Sequence, residues 1–585
     1  MDVGIEALRR QLREAVEECS ARGLVFSAKW AAEQLCSLPA ADAGSGADDA
    51  KEGGDVAALS VGDSATPTLK HRLRGAGRPP ASAAVPAEAE AEAGAESEGR
   101  RERWQRLDAD ERDRMALGKS LFDVREFERV AFMLQGCRGP RAVFLRLYAR
   151  FLNSERRASE AGASTSDQVI EISGGAAAEI TSELEALDVA DELDGFGLHL
   201  LALALKKEGR REAALQACQR AVAAFECNWG AWQLLLALAD GPAEAVCLAT
   251  GWVRHAFMAQ ALVAAESAAA AEFDAHVAAL ERVVGRSGFV AGLVAQRHYH
   301  MREFEEAARE FAALQRADPF RLELSDVYSN ILHVTEDRGR LAALAQRCAA
   351  VDRFRPETCC VIGNYYSLRR EHDKAAGYFR RAAQLDGACL AAWVLLGHEL
   401  IELKNTAGAA DAYRRAADID ARDYRAWYGL GKTYEMLNMP LYALRYYSRA
   451  ATLRPHDSRM WCALADCYGR AAQPERAVAC YRRALQASPE STAHAAARLA
   501  RLYADAADRT RAAHYYRLML AHAADDAADD VATACLFLAA FELDRNNLRA
   551  ARQYLAQVAD AAPHRAEEAS AMLRAMTSAE DGTHW

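Results

Sequence analysis

The amino-acid sequence predicts an all-α protein, a superhelical solenoid built from stacked pairs of antiparallel helices. Three observations lead to this prediction: an internal period of 34 residues, apolar residues spaced along one helix face, and prolines between repeats. Of the 585 residues, 51% are hydrophobic and 26% are charged, so most of the chain can bury a core.

The period is clearest in four consecutive repeats, named here by the residue that anchors each one: the Cys359, Trp393, Trp427 and Trp461 repeats. An aliphatic residue follows each anchor at +3, a small residue at +4, and an aliphatic or aromatic residue at +7. Alanine follows at +16 and +23, with an aromatic residue between them at +20. This is the pattern of the tetratricopeptide repeat, in which two helices pack as an antiparallel pair.

The pattern also predicts which residues pack the repeats together. The anchor and the +3 and +7 residues form one apolar stripe on the first helix. The small +4 residue and the alanines of the second helix allow the two helices to approach closely. The predicted packing positions are Gly363, Trp393, Gly397, Trp427, Gly431, Tyr434, Ala443, Trp461 and Ala477.

The rest of the chain divides by composition. Two tracts rich in small and polar residues are predicted to be flexible, because they cannot bury enough apolar surface to offset their ordering entropy. The predicted order is N-terminal helices forming a degenerate repeat (1–38), a mostly disordered low-complexity insertion (39–107), a degenerate helical repeat (108–153), a flexible insertion (154–190), N-terminal and middle repeats with one shortened (191–356), four regular repeats (357–490), weaker repeats (491–577) and a frayed tail (578–585).

Composition and motifs exclude several classes of function. The net charge of −11 argues against non-specific binding to nucleic acid or to an anionic membrane. No stretch resembles a secretory signal or a membrane span, so we expect a soluble intracellular protein. The 14 cysteines include no C-x-x-C pair, which indicates reduced thiols instead of a zinc site. No P-loop, G-x-S-x-G or H-E-x-x-H motif is present, so we expect no catalytic residue, cofactor or metal.

Several strings are unusual for a generic repeat protein and resemble one family. They are ECSARGLVFSAKWAAE (18–33), LDGFGLHL (193–200), WGAW (229–232), ETCCVIGNYYSLR (357–369), GHELIELKNTAGAADAYRRA (397–416), RDYRAWYGLGKTYE (422–435) and LRPHDSRMW (453–461). Together they resemble subunit 8 of the anaphase-promoting complex, or cyclosome, in the cell-division-cycle protein 23 family. The resemblance runs from about residue 5 to residue 490 and is close in 353–461. The two low-complexity insertions have no counterpart in it.

This resemblance implies a non-catalytic scaffold subunit of a large ubiquitin ligase that drives exit from mitosis, in the nucleus and cytoplasm. It implies a homodimer formed through the N-terminal repeats, with other repeat subunits, a cullin and a RING protein as partners. It further implies that the C-terminal groove receives a short motif, the C-box, from β-propeller coactivators.

Polar residues of the first helices are the candidates for this groove, because first helices line the concave face of such arrays. The candidates are Asn364, Ser367, His398, Glu402, Arg425, Tyr428, Lys432, Glu435, Arg459, Asp466 and Arg470. Since a C-box carries arginines, Glu402, Glu435 and Asp466 are the expected charged partners. Asn364 is expected to hold a ligand main chain.

Other interpretations stay open from the residues alone. Each groove residue can be a solvated side chain without a ligand. The array can be a chaperone adaptor that clamps an acidic C-terminal peptide, although such adaptors use three repeats and a groove of Lys, Arg and Asn. A repeat arm of an enzyme such as a glycosyltransferase is not expected, because the predicted repeats run to about residue 563 and leave little of this sequence for a catalytic domain.

Overall fold

A computed structural model describes most of the chain and confirms the predicted fold class. The described residues are 4–38, 102–162, 167–239, 251–265, 269–487, 492–522, 528–545, 547–561, 565, 567 and 569–574. Within these ranges the regular secondary structure is helical, and no helix is long and apolar enough to cross a membrane. The chain divides into two compact units, Met1–Leu314 and Gln315–Trp585.

The second unit is a regular array of helix pairs. Each first helix packs on the second helix of its own repeat, and each second helix packs on the first helix of the next repeat. Its helices are Ser325–Val334, Arg338–Val351, Pro356–Leu368, His372–Leu385, Leu390–Glu402, Thr406–Ile419, Tyr424–Met436, Pro440–Leu453, Ser458–Arg470, Pro474–Ala487, Thr492–Asp505, Arg509–Ala521, Ala528–Asp544 and Leu548–Ala561.

The first unit is less regular. Its helices are Ile5–Ala21, Val25–Ser37, 102–110, Arg112–Asp123, Phe127–Met133, Pro140–Gly162, Asp167–Val189, Gly195–Lys207, Arg211–Ala224, Trp229–Leu238, Trp252–Ala264, Ala270–Val284, Gly288–His300 and Phe304–Ala317. The region predicted to hold a shortened repeat contains the ten-residue helix Trp229–Leu238, and residues 240–250 after it lie outside the described residues.

A tryptophan stack joins the N-terminal helix pair to helices far along the chain. Trp30 stacks on Trp229, with ring centroids 4.5 Å apart, and on Trp252 at 5.6 Å. Beside this stack, the hydroxyl of Ser27 accepts a hydrogen bond from the backbone N–H of Gly230 at 2.9 Å. The N-terminal helices therefore pack against non-adjacent repeats as well as against each other.

The segment 154–190 differs from its prediction as a flexible insertion. The helix Pro140–Gly162 runs into it, and the helix Asp167–Val189 covers most of the remainder. Ile180 and Leu184 are buried and anchor this second helix to the core. The alanine-rich composition that suggested flexibility also has high helix propensity, and buried aliphatic residues are enough to fix the helix.

Two other predicted boundaries can be compared with the structure only in part. The helix 102–110 begins inside the predicted insertion 39–107, whereas residues 39–101 lie outside the described residues. The predicted frayed tail 578–585 also lies outside them.

Inside the Cys359, Trp393 and Trp427 repeats, an aromatic ring of the second helix presses on a glycine of the first helix. A Cβ atom added to Gly363 would lie 2.5 Å from the Phe379 ring, and one added to Gly431 would lie 2.6 Å from the Tyr447 ring. Gly397 faces the Tyr413 ring in the same way. These distances are shorter than van der Waals contact, so the ring and the glycine together set the spacing of the two helices in these repeats.

Each repeat tryptophan is fastened to the turn that precedes its helix. Its indole N–H donates to the backbone carbonyl six residues earlier, in the pairs Trp232–Glu226 (2.7 Å), Trp393–Gly387 (3.0 Å), Trp427–Ala421 (2.9 Å) and Trp461–Pro455 (2.9 Å). Trp461 is buried, whereas Trp393 and Trp427 are half-buried. These tryptophans therefore pack mainly at the junctions between repeats and less in the interior of a repeat.

Replacing Gly431 by leucine is expected to destabilise the fold. The larger side chain overlaps the Tyr447 ring, which predicts an overpacking cost of about 1–3 kcal/mol or more. The measurement is the thermal melting of the full chain. Gly377→Leu is the control, because a Cβ at Gly377 meets no atom within 4 Å. An unchanged melting temperature for Gly431→Leu would contradict the repeat register.

Candidate peptide-binding groove

The predicted groove residues all lie on neighbouring first helices of the second unit. The helix Ser325–Val334 contacts Pro356–Leu368, which contacts Leu390–Glu402, which contacts Tyr424–Met436. The ion pair between Arg470 and Glu435 links the last of these helices to Ser458–Arg470. The structure therefore places the candidate residues along one row of helices.

Asn364 is buried and joins two repeats instead of pointing freely into the groove. Its amide nitrogen lies 2.8 Å from the Ser329 hydroxyl and 2.7 Å from the Asn330 side-chain oxygen. Both amide hydrogens therefore have partners on the preceding first helix. The position stabilises the junction between the two repeats.

A buried carboxylate, Glu399, lies at the centre of a polar network that the sequence did not predict. Ser367 donates its hydroxyl to Glu399 at 2.7 Å, and His372 lies 2.8 Å from the other carboxylate oxygen. The Ser367 hydroxyl is also 3.1 Å from His333. Burial lowers the pKa of His333, although the negative charge of Glu399 acts in the opposite direction. A lone acid within the apolar run LLGHELI was the available signal for Glu399.

From inside three consecutive repeats, tyrosine hydroxyls reach the row of first helices that carries the predicted groove residues. Where the Cys359 repeat has Phe379, the next three repeats have tyrosine, and burial raises the pKa of each. Each ring fills the space between its two helices, and its hydroxyl bonds a predicted groove residue. The pairs are Tyr413 with His398 at 2.8 Å, Tyr447 with Glu435, and Tyr481 with Asp466.

Two of the three expected charged partners are already paired within the chain. Glu435 pairs with Arg470 and, at 3.6 Å, with Lys432. Asp466 lies 3.8 Å from His494 and 3.7 Å from an arginine on the same helix as His494. Burial alone would raise the pKa of Asp466, but the nearby His494 and the hydrogen bond from the Tyr481 hydroxyl leave the pKa below the usual value.

The arginines near the helix starts are paired as well. Arg425 bonds Asp423 at 3.0 Å, and Arg459 bonds Asp457 at 2.6 Å. Each aspartate also caps its helix by accepting a hydrogen bond from the backbone N–H of that arginine. Tyr428 is half-buried with its ring 5.4 Å from the Tyr447 ring.

Glu402 is the exception among the expected charged partners. Its side chain is exposed at the end of the helix Leu390–Glu402, and it forms no hydrogen bond or ion pair with any residue that the structure describes. A free carboxylate at the end of a row of fixed polar groups is suited to receive a cationic side chain. Over the same described ranges, no group of three or more His, Cys, Asp or Glu could hold a metal ion, and the cysteines are free thiols.

Comparisons with known proteins give consistent similarities. The family model described as "Anaphase promoting complex subunit 8 / Cdc23" matches residues 7–296, and a tetratricopeptide-repeat model matches 390–423 and 458–491. The chain is 33% identical over 366 residues to "Anaphase-promoting complex subunit 8" of Arabidopsis thaliana, covering 60% of this chain and 58% of that protein. It is 37% identical over 251 residues to "Cell division cycle protein 23 homolog" of Homo sapiens, covering 42% and 41%.

These matches span about half the length of the curated relatives. One solved structure, the "Crystal structure of APC/C hetero-tetramer Cut9-Hcn1", aligns with a TM-score of 0.48 and 14% identity, over 78% of this chain and 95% of that one.

Removing one tyrosine hydroxyl should show how much its hydrogen bond contributes to stability, apart from the packing of the ring. Tyr447→Phe keeps the ring on Gly431 but deletes the hydrogen bond to Glu435, so the free energy of unfolding should fall by about 1 kcal/mol. The measurement is urea denaturation of the full chain. Tyr442→Phe is the control, since its exposed hydroxyl bonds no residue in the described ranges. Equal effects of the two variants would show that the buried hydroxyl contributes nothing.

Proposed function

Because this chain belongs to the anaphase-promoting complex subunit 8 / Cdc23 family, we propose that it is a non-catalytic scaffold subunit of that ubiquitin ligase. In this role its repeats hold other repeat subunits, a cullin and a RING protein, in the nucleus and cytoplasm. We also propose that it forms a homodimer through its N-terminal repeats. Stacked helix pairs support a scaffold role because they offer extended surfaces without requiring a reactive centre.

The proposed ligand of the second unit is the C-box of a β-propeller coactivator. The observation that carries this proposal is the unpaired carboxylate of Glu402, about one helical turn after His398, which the Tyr413 hydroxyl holds in place. A guanidinium group of the ligand would pair with Glu402 without displacing any internal partner. Glu435 and Asp466 would have to exchange a partner first, so we assign them to shaping the groove.

The alternative of a chaperone adaptor for acidic peptides is not favoured by the groove. A carboxylate clamp needs free cationic side chains. Here Lys432 and Arg470 pair with Glu435, and Arg459 pairs with an aspartate at the start of its helix. The groove therefore offers a free anion at Glu402 instead of free cations.

Affinity purification of the full-length protein from dividing cells tests the scaffold role. We expect co-purification of a cullin, a RING protein and further repeat subunits, identified by mass spectrometry. Recovery of none of these would overturn the proposal. Sedimentation of the purified chain tests the homodimer separately.

Glu402→Ala should weaken binding of a C-box peptide by about tenfold or more, because a charge-assisted hydrogen bond contributes about 1.5–3 kcal/mol. Peptide affinity is measured by fluorescence anisotropy, and thermal melting should be unchanged. Glu475→Ala is the matched control, since Glu475 is an exposed carboxylate on a second helix. Unaltered affinity in Glu402→Ala would contradict the proposed contact.

Adding Asn364→Ala to Glu402→Ala should weaken peptide binding further and leave assembly of the complex intact. It should also lower the melting temperature, because it leaves Ser329 and Asn330 without their bonds to the amide. Co-purification of the other subunits is the measurement. Loss of assembly would show that these two residues act structurally.

A further inference from the structure

The second helix of the Trp427 repeat and the turn before it carry an apolar surface that neighbouring repeats lack. The exposed apolar residues are Met436, Leu437, Met439, Leu441 and Tyr442. Leu441 is 71% exposed and Tyr442 is 60% exposed. Polar or small residues replace this pair in the adjacent repeats, namely Ala407 with Gly408 and Glu475 with Arg476. Because repeats share one backbone geometry, this difference does not follow from the fold.

The same helix carries two arginines that have no partner. The side chains of Arg445 and Arg449 are exposed and form no hydrogen bond, ion pair or ring contact with the described part of the chain. At the position of Arg449, the adjacent repeats have Arg415 over the Trp393 ring at 5.3 Å and an arginine over the Trp461 ring at 4.4 Å.

Tyr446 explains why Arg449 does not lie over the Trp427 ring. Tyr446 stacks on Trp427, with centroids 6.1 Å apart and planes at 20°, and so covers the indole that an arginine covers in the adjacent repeats. Arg449 therefore remains available to a partner outside the chain.

The charge of this surface is opposite to that of the chain as a whole. Residues 436–456 include no Asp or Glu and three arginines, whereas the full chain has a net charge of −11. Leu441, Arg445 and Arg449 are spaced four residues apart and share one face of the helix. An apolar group and two positive charges thus follow one another along an exposed helix face.

Tyr442 is exposed but held in place. Its ring stacks on Tyr434, with centroids 5.6 Å apart, and Tyr434 stacks on Tyr446 at 5.3 Å. A pre-positioned ring loses little side-chain entropy when a partner covers it. Tyrosine, methionine and arginine are also the residue types enriched in the centres of protein interfaces.

We propose that this surface, formed by Met436, Leu437, Met439, Leu441, Tyr442, Arg445 and Arg449 and named the outer patch, docks an acidic amphipathic segment of another protein. Apolar side chains of that segment cover Leu441 and Tyr442, and its carboxylates pair with Arg445 and Arg449. Charge complementarity selects this occupant. A second copy docking patch to patch would set the same arginines against each other, and two arginines are few for an anionic membrane. The outer patch lies on a second helix, so this proposal does not depend on the ligand of the groove.

The test uses the purified full chain and a fluorescein-labelled probe peptide in which leucine and phenylalanine alternate with glutamate. We expect saturable binding by fluorescence anisotropy that weakens with rising salt. Arg445→Glu with Arg449→Glu should lower the affinity at least about tenfold, and a probe with lysine in place of glutamate should bind this variant better than it binds the unaltered chain.

A matched variant controls for net charge. Arg380→Glu with Arg549→Glu makes the same charge change on other helices, at exposed arginines that also lack partners in the described ranges, and should leave probe affinity unchanged. Leu441→Ser with Tyr442→Ser should weaken binding without a charge change. The arginine variants should melt like the unaltered chain, because their substituted side chains are exposed and unpaired. Leu441→Ser with Tyr442→Ser should melt slightly lower, because it removes the Tyr442 ring from Tyr434.

Several outcomes would overturn the proposal. The first is no saturable binding of the acidic probe. The second is an affinity of the Arg445→Glu, Arg449→Glu variant for that probe equal to the affinity of the unaltered chain. The third is that the unaltered chain binds the lysine probe as tightly as the acidic probe. A change in sedimentation caused by the arginine variant would assign the outer patch to self-association instead. Tighter binding of the chain to vesicles of anionic lipid than to the probe would assign the outer patch to a membrane surface.

Discussion

The contact between one glycine and one aromatic ring inside each of three consecutive repeats sets the geometry on which the row of candidate groove helices depends. The ring of Tyr447 fills the space that a side chain at Gly431 would need, and Tyr413 and Gly397 repeat the arrangement. Because the ring cannot be compressed, the spacing of the two helices is fixed in each of these repeats. Repeats with equal spacing stack regularly, and their first helices then form a continuous row.

The same rings also decide the chemistry of the groove. A tyrosine that spans the space between two helices delivers its hydroxyl to the first-helix row, where it fixes His398, Glu435 or Asp466. Internal pairing then satisfies most of the polar groups along the row, and only Glu402 among the expected charged partners keeps its charge available. In the binding role that we propose, such a row favours selectivity, because few groups have to reorganise when a ligand arrives.

Departures from the period identify the surfaces that the fold does not explain. Repeats are internal references for one another, since each occupies nearly the same environment. Arg449 differs from its counterparts because Tyr446 takes the tryptophan face, and Leu441 differs because equivalent positions are small or polar. Glu402 differs in remaining unpaired. Local inconsistency of this kind is where function is expected in an otherwise regular structure.

The sequence by itself determined the all-α repeat fold, the position of each anchor and the small residues that face the rings, because a period of 34 is a local property repeated many times. Only the tertiary structure decided which polar residues stay free. Asn364, Glu435 and Asp466 have partners that lie 15 to 35 residues away, on other helices. It also placed Trp30 between Trp229 and Trp252, a contact across about 200 residues that no period encodes.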